Sequence, residues 1–131
     1  MDASGKSSKE LVFIVDDEAL LGQLAETLLT EQGYRTRTFL DPMDVLREIR
    51  DDGERPALLV TDYVMGAMNG LELIEECKKY HPKLRTILLS GTVSESYVHK
   101  FSVQPDHFVP KPYAVAKFIN VVNQTLSHPA A

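Results

Sequence analysis

The chain has one cysteine, Cys77, among 131 residues, so an internal disulfide is excluded. A lone thiol on an apolar helix face, with no histidine motif beside it, suits a core position in a reducing cytoplasm rather than a nucleophile. No apolar run approaches the ~20 residues of a membrane span. Met1 to Lys9 is polar and small, lacks the apolar segment of a secretory signal, and reads as a mobile leader. Basic charge is also short. Lysine and arginine number 14 against 19 acids, and the net charge of −5 speaks against a direct nucleic-acid surface. His81, His99, His107 and His128 have no metal-ligand spacing and read as surface or packing residues. Gly5-Lys6-Ser7 looks like the end of a phosphate loop, but the earlier glycine of that motif is missing and no strand precedes it.

What is present is ordinary in amount, 44% apolar and 25% charged, and unusual in arrangement. Leu11 to Val15 is an unbroken apolar run, as for a strand buried on both faces of a parallel sheet, and it ends in Asp16-Asp17-Glu18. Three adjacent carboxylates repel one another. A hard divalent cation with oxygen ligands would offset that repulsion, although acids also simply favour a helix start. Leu20, Leu21, Leu24 and Leu28 then follow at helical spacing to about Gln32, with Gly33 as the terminating residue. Tyr34 to Phe39 alternates toward charge and reads as an edge strand. Asp41-Pro42 opens a helix bearing Val45, Leu46 and Ile49, which frays in Asp51-Asp52-Gly53.

Ala57 to Thr61 is a second buried strand, again ending in an acid, Asp62. Asn69-Gly70 opens a helix through Leu71, Ile74 and Cys77 to Tyr80, broken by His81-Pro82. Thr86 to Leu89 is the next buried strand and ends at Ser90-Gly91. Ser94 caps a short helix with Tyr97, Val98 and Phe101. A short strand over about Asp106 to Val109 ends in Pro110-Lys111-Pro112, and the last helix carries Val115, Phe118, Ile119, Val122 and Leu126. Five β-α units predict an α/β domain over residues 10–127, with residues 128–131 as a tail. The expected architecture is a three-layer, doubly wound, five-stranded parallel sheet in the order 2-1-3-4-5. The polar second strand and the Pro110-bearing fifth then take the edges. The alternative Rossmann order needs a glycine-rich turn where Asp16-Asp17-Glu18 stands.

In such a sheet the first, third and fourth strands are neighbours, and ligands bind at their carboxyl ends. Asp16, Asp17, Asp62, Ser90 and Lys111 therefore converge. Carboxylates, a hydroxyl and an ammonium in one cleft make a set for phosphoryl transfer, which needs positioning and charge neutralisation. A carboxylate can itself take the phosphoryl group as an acyl phosphate.

With Val15-Asp16-Asp17-Glu18, Asp62 followed by Met65 and Asn69-Gly70, Leu89-Ser90-Gly91 and Lys111-Pro112 in order, the chain resembles the receiver domain of two-component response regulators over about Glu10 to Leu126. The resemblance implies a flavodoxin-like fold and a cytoplasmic phosphoacceptor rather than an enzyme. By position, Asp62 is the phosphorylated residue. Asp17 is a direct ligand of Mg2+, Asp16 a ligand through water and the Val64 backbone carbonyl a further one, with Mn2+ tolerated. Ser90 and Phe108 are the switch pair, Lys111 binds the phosphate, and the Lys111-Pro112 bond is cis. The implied donor is a histidine kinase or histidine phosphotransfer protein, and the output partner is unknown. The output surface would lie on the fourth helix, fifth strand and last helix, lined by Tyr97, Val98, Phe101 and His107. Val121, the clear apolar residue beyond the last helix's core stripe, points to a partner face or a phosphorylation-dependent dimer.

Gly66 stands where the family commonly has proline, and Gln104-Pro105 replaces a usual Gly-Ala, so the course from Phe101 to Pro110 is the least constrained by resemblance. Gly91 leaves the approach to Asp62 open. Val64 and Thr92 border the path of a hydrolytic water, and Val64 cannot orient one, which implies a long-lived phosphoryl group. Two other classes fit less well. Aspartyl-phosphate phosphatases carry Asp-x-Asp after the first strand and a second domain. Flavin-binding modules need a hydroxyl-rich loop where this chain has acids.

Overall fold

A computed structural model of the chain describes residues 9–51 and 53–127. The leader up to Ser8, the tail 128–131, Gly5-Lys6-Ser7, His128 and the Asp52 of the expected fraying lie outside those residues. Five strands, β1 (Leu11–Val15), β2 (Arg35–Phe39), β3 (Leu58–Asp62), β4 (Arg85–Ser90) and β5 (His107–Pro110), form one parallel sheet in the order β2-β1-β3-β4-β5. They alternate with α1 (Ala19–Glu31), α2 (Pro42–Arg50), α3 (Gly70–Tyr80), the single turn α4 (Glu95–Val98) and α5 (Val115–Ser127). This is the flavodoxin-like, doubly wound arrangement predicted from the strand patterns. Strand limits differ from the expected ones by a residue or so; β5 runs on to Pro110, which pairs with Ser90 at the sheet edge.

The apolar runs are continuous because helices cover both faces. From β1, Leu11, Phe13 and Val15 join Leu59, Leu88 and the α2 and α3 residues Val45, Ile49, Leu73 and Ile74. Val12 and Ile14 point the other way, to Val60, Ile87 and Val109 under Ala25 and Leu29 of α1 and Phe118 and Val122 of α5. Each fully buried aliphatic or aromatic side chain of this kind contributes roughly 1.5–3 kcal/mol relative to leaving it exposed. Local signals set the helix ends. Asp41 accepts from Met43 N at 2.9 Å, with Pro42 in the first helical position. Asn69 and Glu72 form a reciprocal capping box. Ser94 accepts from Tyr97 N, and Gly33 adopts φ 96°, in the region that favours glycine. Cys77 is fully buried, and burial pushes its thiol up to about 12, which fits a core residue.

Three expectations about faces are corrected. Of the four leucines expected at helical spacing on α1, Leu20 is 78% and Leu24 46% exposed and Leu21 is exposed too; Leu28 packs on the core, and Gly22, Ala25 and Leu29 are the buried residues. Small residues at the i, i+3 spacing let this helix approach β1 closely, with Gly22 opposite Asp16 Cβ. Val98 is buried in the core and lines no surface, and α4 ends there, leaving Phe101 in the following turn. Val121 is half-buried against the α1–α5 core rather than an extra surface residue. Among the described residues no helix is long and apolar enough to cross a membrane.

Candidate functional site

Leaving β1, Asp16 donates its backbone N–H to Phe39 O of β2, and its Oδ1 accepts from Glu18 N at 2.9 Å. These two bonds turn the chain at once and fix a buried carboxylate, while Asp17 is exposed beside it. Asp62 is the last residue of β3, and its carboxyl lies on the same edge. Carboxylate oxygens of Asp16, Asp17 and Asp62 lie within 4.8 Å of one another. An octahedral magnesium ion spaces opposite oxygen ligands by about 4.2 Å, so this set fits a hard divalent cation after small side-chain shifts.

Lys111, directly after β5, closes the group. Its Nζ is 3.3 Å from Asp16 Oδ2 and 3.4 Å from Asp62 Oδ1. The Lys111-Pro112 peptide bond is cis. Burial alone would pull the ammonium pKa down, but the two carboxylates more than reverse this and raise it. Burial pushes the Asp62 carboxyl above the usual range, Asp16 adds to the rise, and Lys111 opposes it. Three carboxylates beside one ammonium leave two uncompensated negative charges, which a divalent cation would match.

The backbone of Asp62 is held as tightly as its side chain. Tyr63 N donates to Leu89 O at 2.8 Å, and Gly70 N donates to Tyr63 O at 2.9 Å, closing the loop 63–69 on itself. A Cβ on Gly70 would stand 2.4 Å from the Asp62 carbonyl oxygen and 2.7 Å from Leu88 Cδ1. Only glycine permits that approach. In sequence Gly70 reads only as the second residue of an Asn-Gly helix start; its contact with Asp62 closes the loop between β3 and α3 and leaves no periodic signature.

The remaining expected residues sit nearby with other partners. Ser90 ends β4 and is buried. Its Oγ accepts from Thr92 N at 3.1 Å and Val93 N at 3.0 Å, so it organises the following loop. Phe108 on β5 is half-buried and packs on the α2–α3 side of the core. Val64 is 51% exposed at the loop start, and Thr92 is exposed. A Cβ on Gly91 would meet Lys111 at 3.5 Å, an ordinary contact. Beside the acids, the α1 leucines missed as a surface feature form one wall of an open apolar groove of about 440 Å³. Ile14, Leu21, Leu24, Leu89 and Tyr113 line it, with Asp16 and Lys111 at one end.

The response regulator receiver domain model matches residues 12–123 of the chain. The chain is similar to the nitrogen assimilation regulatory protein NtrX of Azorhizobium caulinodans, with 30% identity over 88% of this chain and 26% of that protein. It is also similar to the DNA-binding transcriptional regulator NtrC of Proteus hauseri, with 25% identity over 89% of this chain and 24% of that one. The chain thus spans about a quarter of the length of these curated relatives. Among solved structures, a CheY-like receiver domain protein from Methanospirillum hungatei superposes with a TM-score of 0.83 at 23% identity, covering 92% of this chain and 95% of that one.

Proposed function

The chain belongs to the response regulator receiver domain family, and from that premise we propose that Asp62 accepts a phosphoryl group from a phosphohistidine on a histidine kinase or histidine phosphotransfer protein. An Asp62 carboxylate oxygen attacks phosphorus in line. The P–N bond to the histidine breaks, a P–O bond forms, and the histidine leaves with a proton. The observation that carries this reading is the carboxylate–lysine cluster, with Asp62 the member that terminates a central strand. Lys111 offsets charge on the phosphoryl oxygens as a compact cation. Asp17, Asp62, the Val64 carbonyl and, through water, Asp16 would hold Mg2+ or Mn2+. Bound there, the ion would neutralise charge on the transferring group and orient it.

The groove along Leu21 and Leu24 supports the idea that the donor rests on α1 as it brings its phosphohistidine to Asp62. Phosphorylation would then shift a two-state equilibrium. Ser90 Oγ leaves the Thr92 and Val93 amides for the phosphate, and Phe108 follows into the space released. The output surface would be α4, β5 and α5, exposing Tyr97, Phe101 and His107. On this reading the protein is a signalling module rather than an enzyme with its own substrate.

Incubation with a small phosphodonor should give a phosphoryl adduct by intact mass only when Mg2+ is present. A folded protein that binds Mg2+ yet stays unmodified by both the small donor and a phosphorylated histidine phosphotransfer protein would contradict the reading.

A further inference from the structure

The segment from Glu95 to Pro105 is built unlike the rest of the chain. α4 has 4 residues, and a helix that short does not sustain itself. Its N-terminus is capped by Ser94, and Val98 plugs it into the core. Its C-terminal end is also held by a side chain beyond the following turn. The Gln104 side-chain amide donates to Val98 O at 2.8 Å and to Phe101 O at 2.7 Å. One NH2 group thus ties the end of α4 and the turn after it to the loop that leads into β5. Backbone amides already serve the last carbonyls of α4, Tyr97 O from Lys100 N and Val98 O from Phe101 N, so Gln104 adds a second donor to Val98 O and one to Phe101 O. Between α4 and β5 lies a polar cavity of about 190 Å³, bordered by Val98, Gln104, Asp106, His107 and Phe108. The cavity leaves α4 and Phe108 room to move, and the Gln104 amide spans it.

We propose that Gln104 is a clamp that sets the resting position of α4, and that phosphorylation at Asp62 acts on the output surface by releasing it. The second half rests on the function proposed above; the first half does not. Gln104 can do this because its two donors meet backbone carbonyls, which are present whatever the side chains of α4 are. Release needs only that Val98 or the 101–104 turn shift, since either movement displaces a carbonyl that the amide holds. The clamp is therefore a lever whose loss mimics the signal.

The test is hydrogen–deuterium exchange read by mass spectrometry on the intact chain, for wild type, Gln104→Glu and Gln104→Leu. Glu keeps the length of the side chain and removes both donors; Leu tests bulk without polarity. In the unmodified proteins, the peptide covering residues 94–106 should exchange at least about tenfold faster in both variants, with β1, β3 and α5 unchanged. Wild-type exchange rates in that peptide for both variants would overturn the clamp, and so would acceleration spread evenly over the whole chain. The small-phosphodonor arm separates the two halves. Wild type carrying the adduct should reach the exchange rate of the unmodified variants in residues 94–106, and the variants should show little further rise on modification. An adduct that leaves wild-type residues 94–106 as protected as before would overturn the link to phosphate while leaving the acceptor reading intact. If no adduct forms, it is the acceptor reading that fails, and the comparison of unmodified proteins still decides the clamp.

Discussion

The two sides of the candidate site are held by different means. On the β1–β3 side the two buried carboxylates are each fixed more than once. Asp16 is pinned by its own backbone bond, by Glu18 N and by Lys111, while Asp62 is pinned by Lys111 and by the close approach of Gly70. On the β4–β5 side, Ser90 holds a loop, Phe108 is half-buried, α4 is one turn long, and an amide bridges a cavity. Chemistry at a carboxylate needs groups that do not move, whereas a signal needs groups that do. On the proposed function the two tasks would fall on adjacent strands, and local stability should fall from the first to the second.

Four tests, using five substitutions, would sharpen or break that contrast. The largest effect is expected from paired truncations. Phe13, fully buried on β1 with its ring tilted against Phe39 at 4.8 Å between centroids, should lose about 3–5 kcal/mol on replacement by alanine in urea unfolding. Phe108→Ala should lose less than half as much, because its ring is only partly buried. Equal losses would remove the claimed gradient. Next, Gly70→Ala should lower stability by about 1–3 kcal/mol, since the added methyl meets backbone that cannot yield. It should also weaken Mg2+ binding by isothermal calorimetry, because the Asp62 carbonyl must shift.

The third test is electrostatic. The Asp62 carboxyl pKa is raised by burial, so the fold binds that proton more tightly than the unfolded chain does. An ionised Asp62 therefore costs stability above its folded-state pKa, and the cost fades as pH falls through that value toward the ordinary carboxyl range. Without divalent ions, Asp62→Asn should melt above wild type at pH 7, with the gap narrowing in acid. Added Mg2+ should raise the wild-type melting temperature more than that of the variant. A variant that melts below wild type at neutral pH would mean that Lys111 already compensates the cluster. The smallest stability effect, within about 0.5 kcal/mol, is expected for Leu24→Ala, since the side chain is exposed. The same change should slow phosphorylation by a protein donor and leave the small-donor rate unaltered.

The fate of α1 shows where sequence legibility ended. Strand runs, caps and the order of acids, hydroxyl and lysine at strand ends are local signals, and the sheet order follows from the polar second strand and the proline-bearing fifth. The helix is legible and its buried face is not, because two periodic sets coexist on it. Leucines at positions 20, 21 and 24 are larger than Gly22 and Ala25 and dominate a hydrophobicity count. Close packing against a sheet selects for small size as well as apolarity, which Gly22 and Ala25 supply, while Leu29 alone of the buried set shows up in a hydrophobicity count. The clash that reserves Gly70 for glycine, the pairing of Ser90 with the 92–93 amides, and the reach of Gln104 to Val98 and Phe101 are side-chain-to-backbone contacts. They have no period, and residue type alone does not announce them. Val98 was placed on a surface for a related reason: on a one-turn helix, neighbouring apolar residues cannot be sorted into faces by spacing.

The central claim is that the carboxylate at the end of β3 becomes an acyl phosphate, and reductive trapping tests it most directly. After exposure to a small phosphodonor with Mg2+, borohydride reduces an acyl phosphate to the alcohol, which turns the modified aspartate into homoserine. Peptide mapping should find homoserine at position 62 in wild type and at no position in Asp62→Asn. Homoserine at position 16 or 17 instead, or an adduct that persists in Asp62→Asn, would contradict the account.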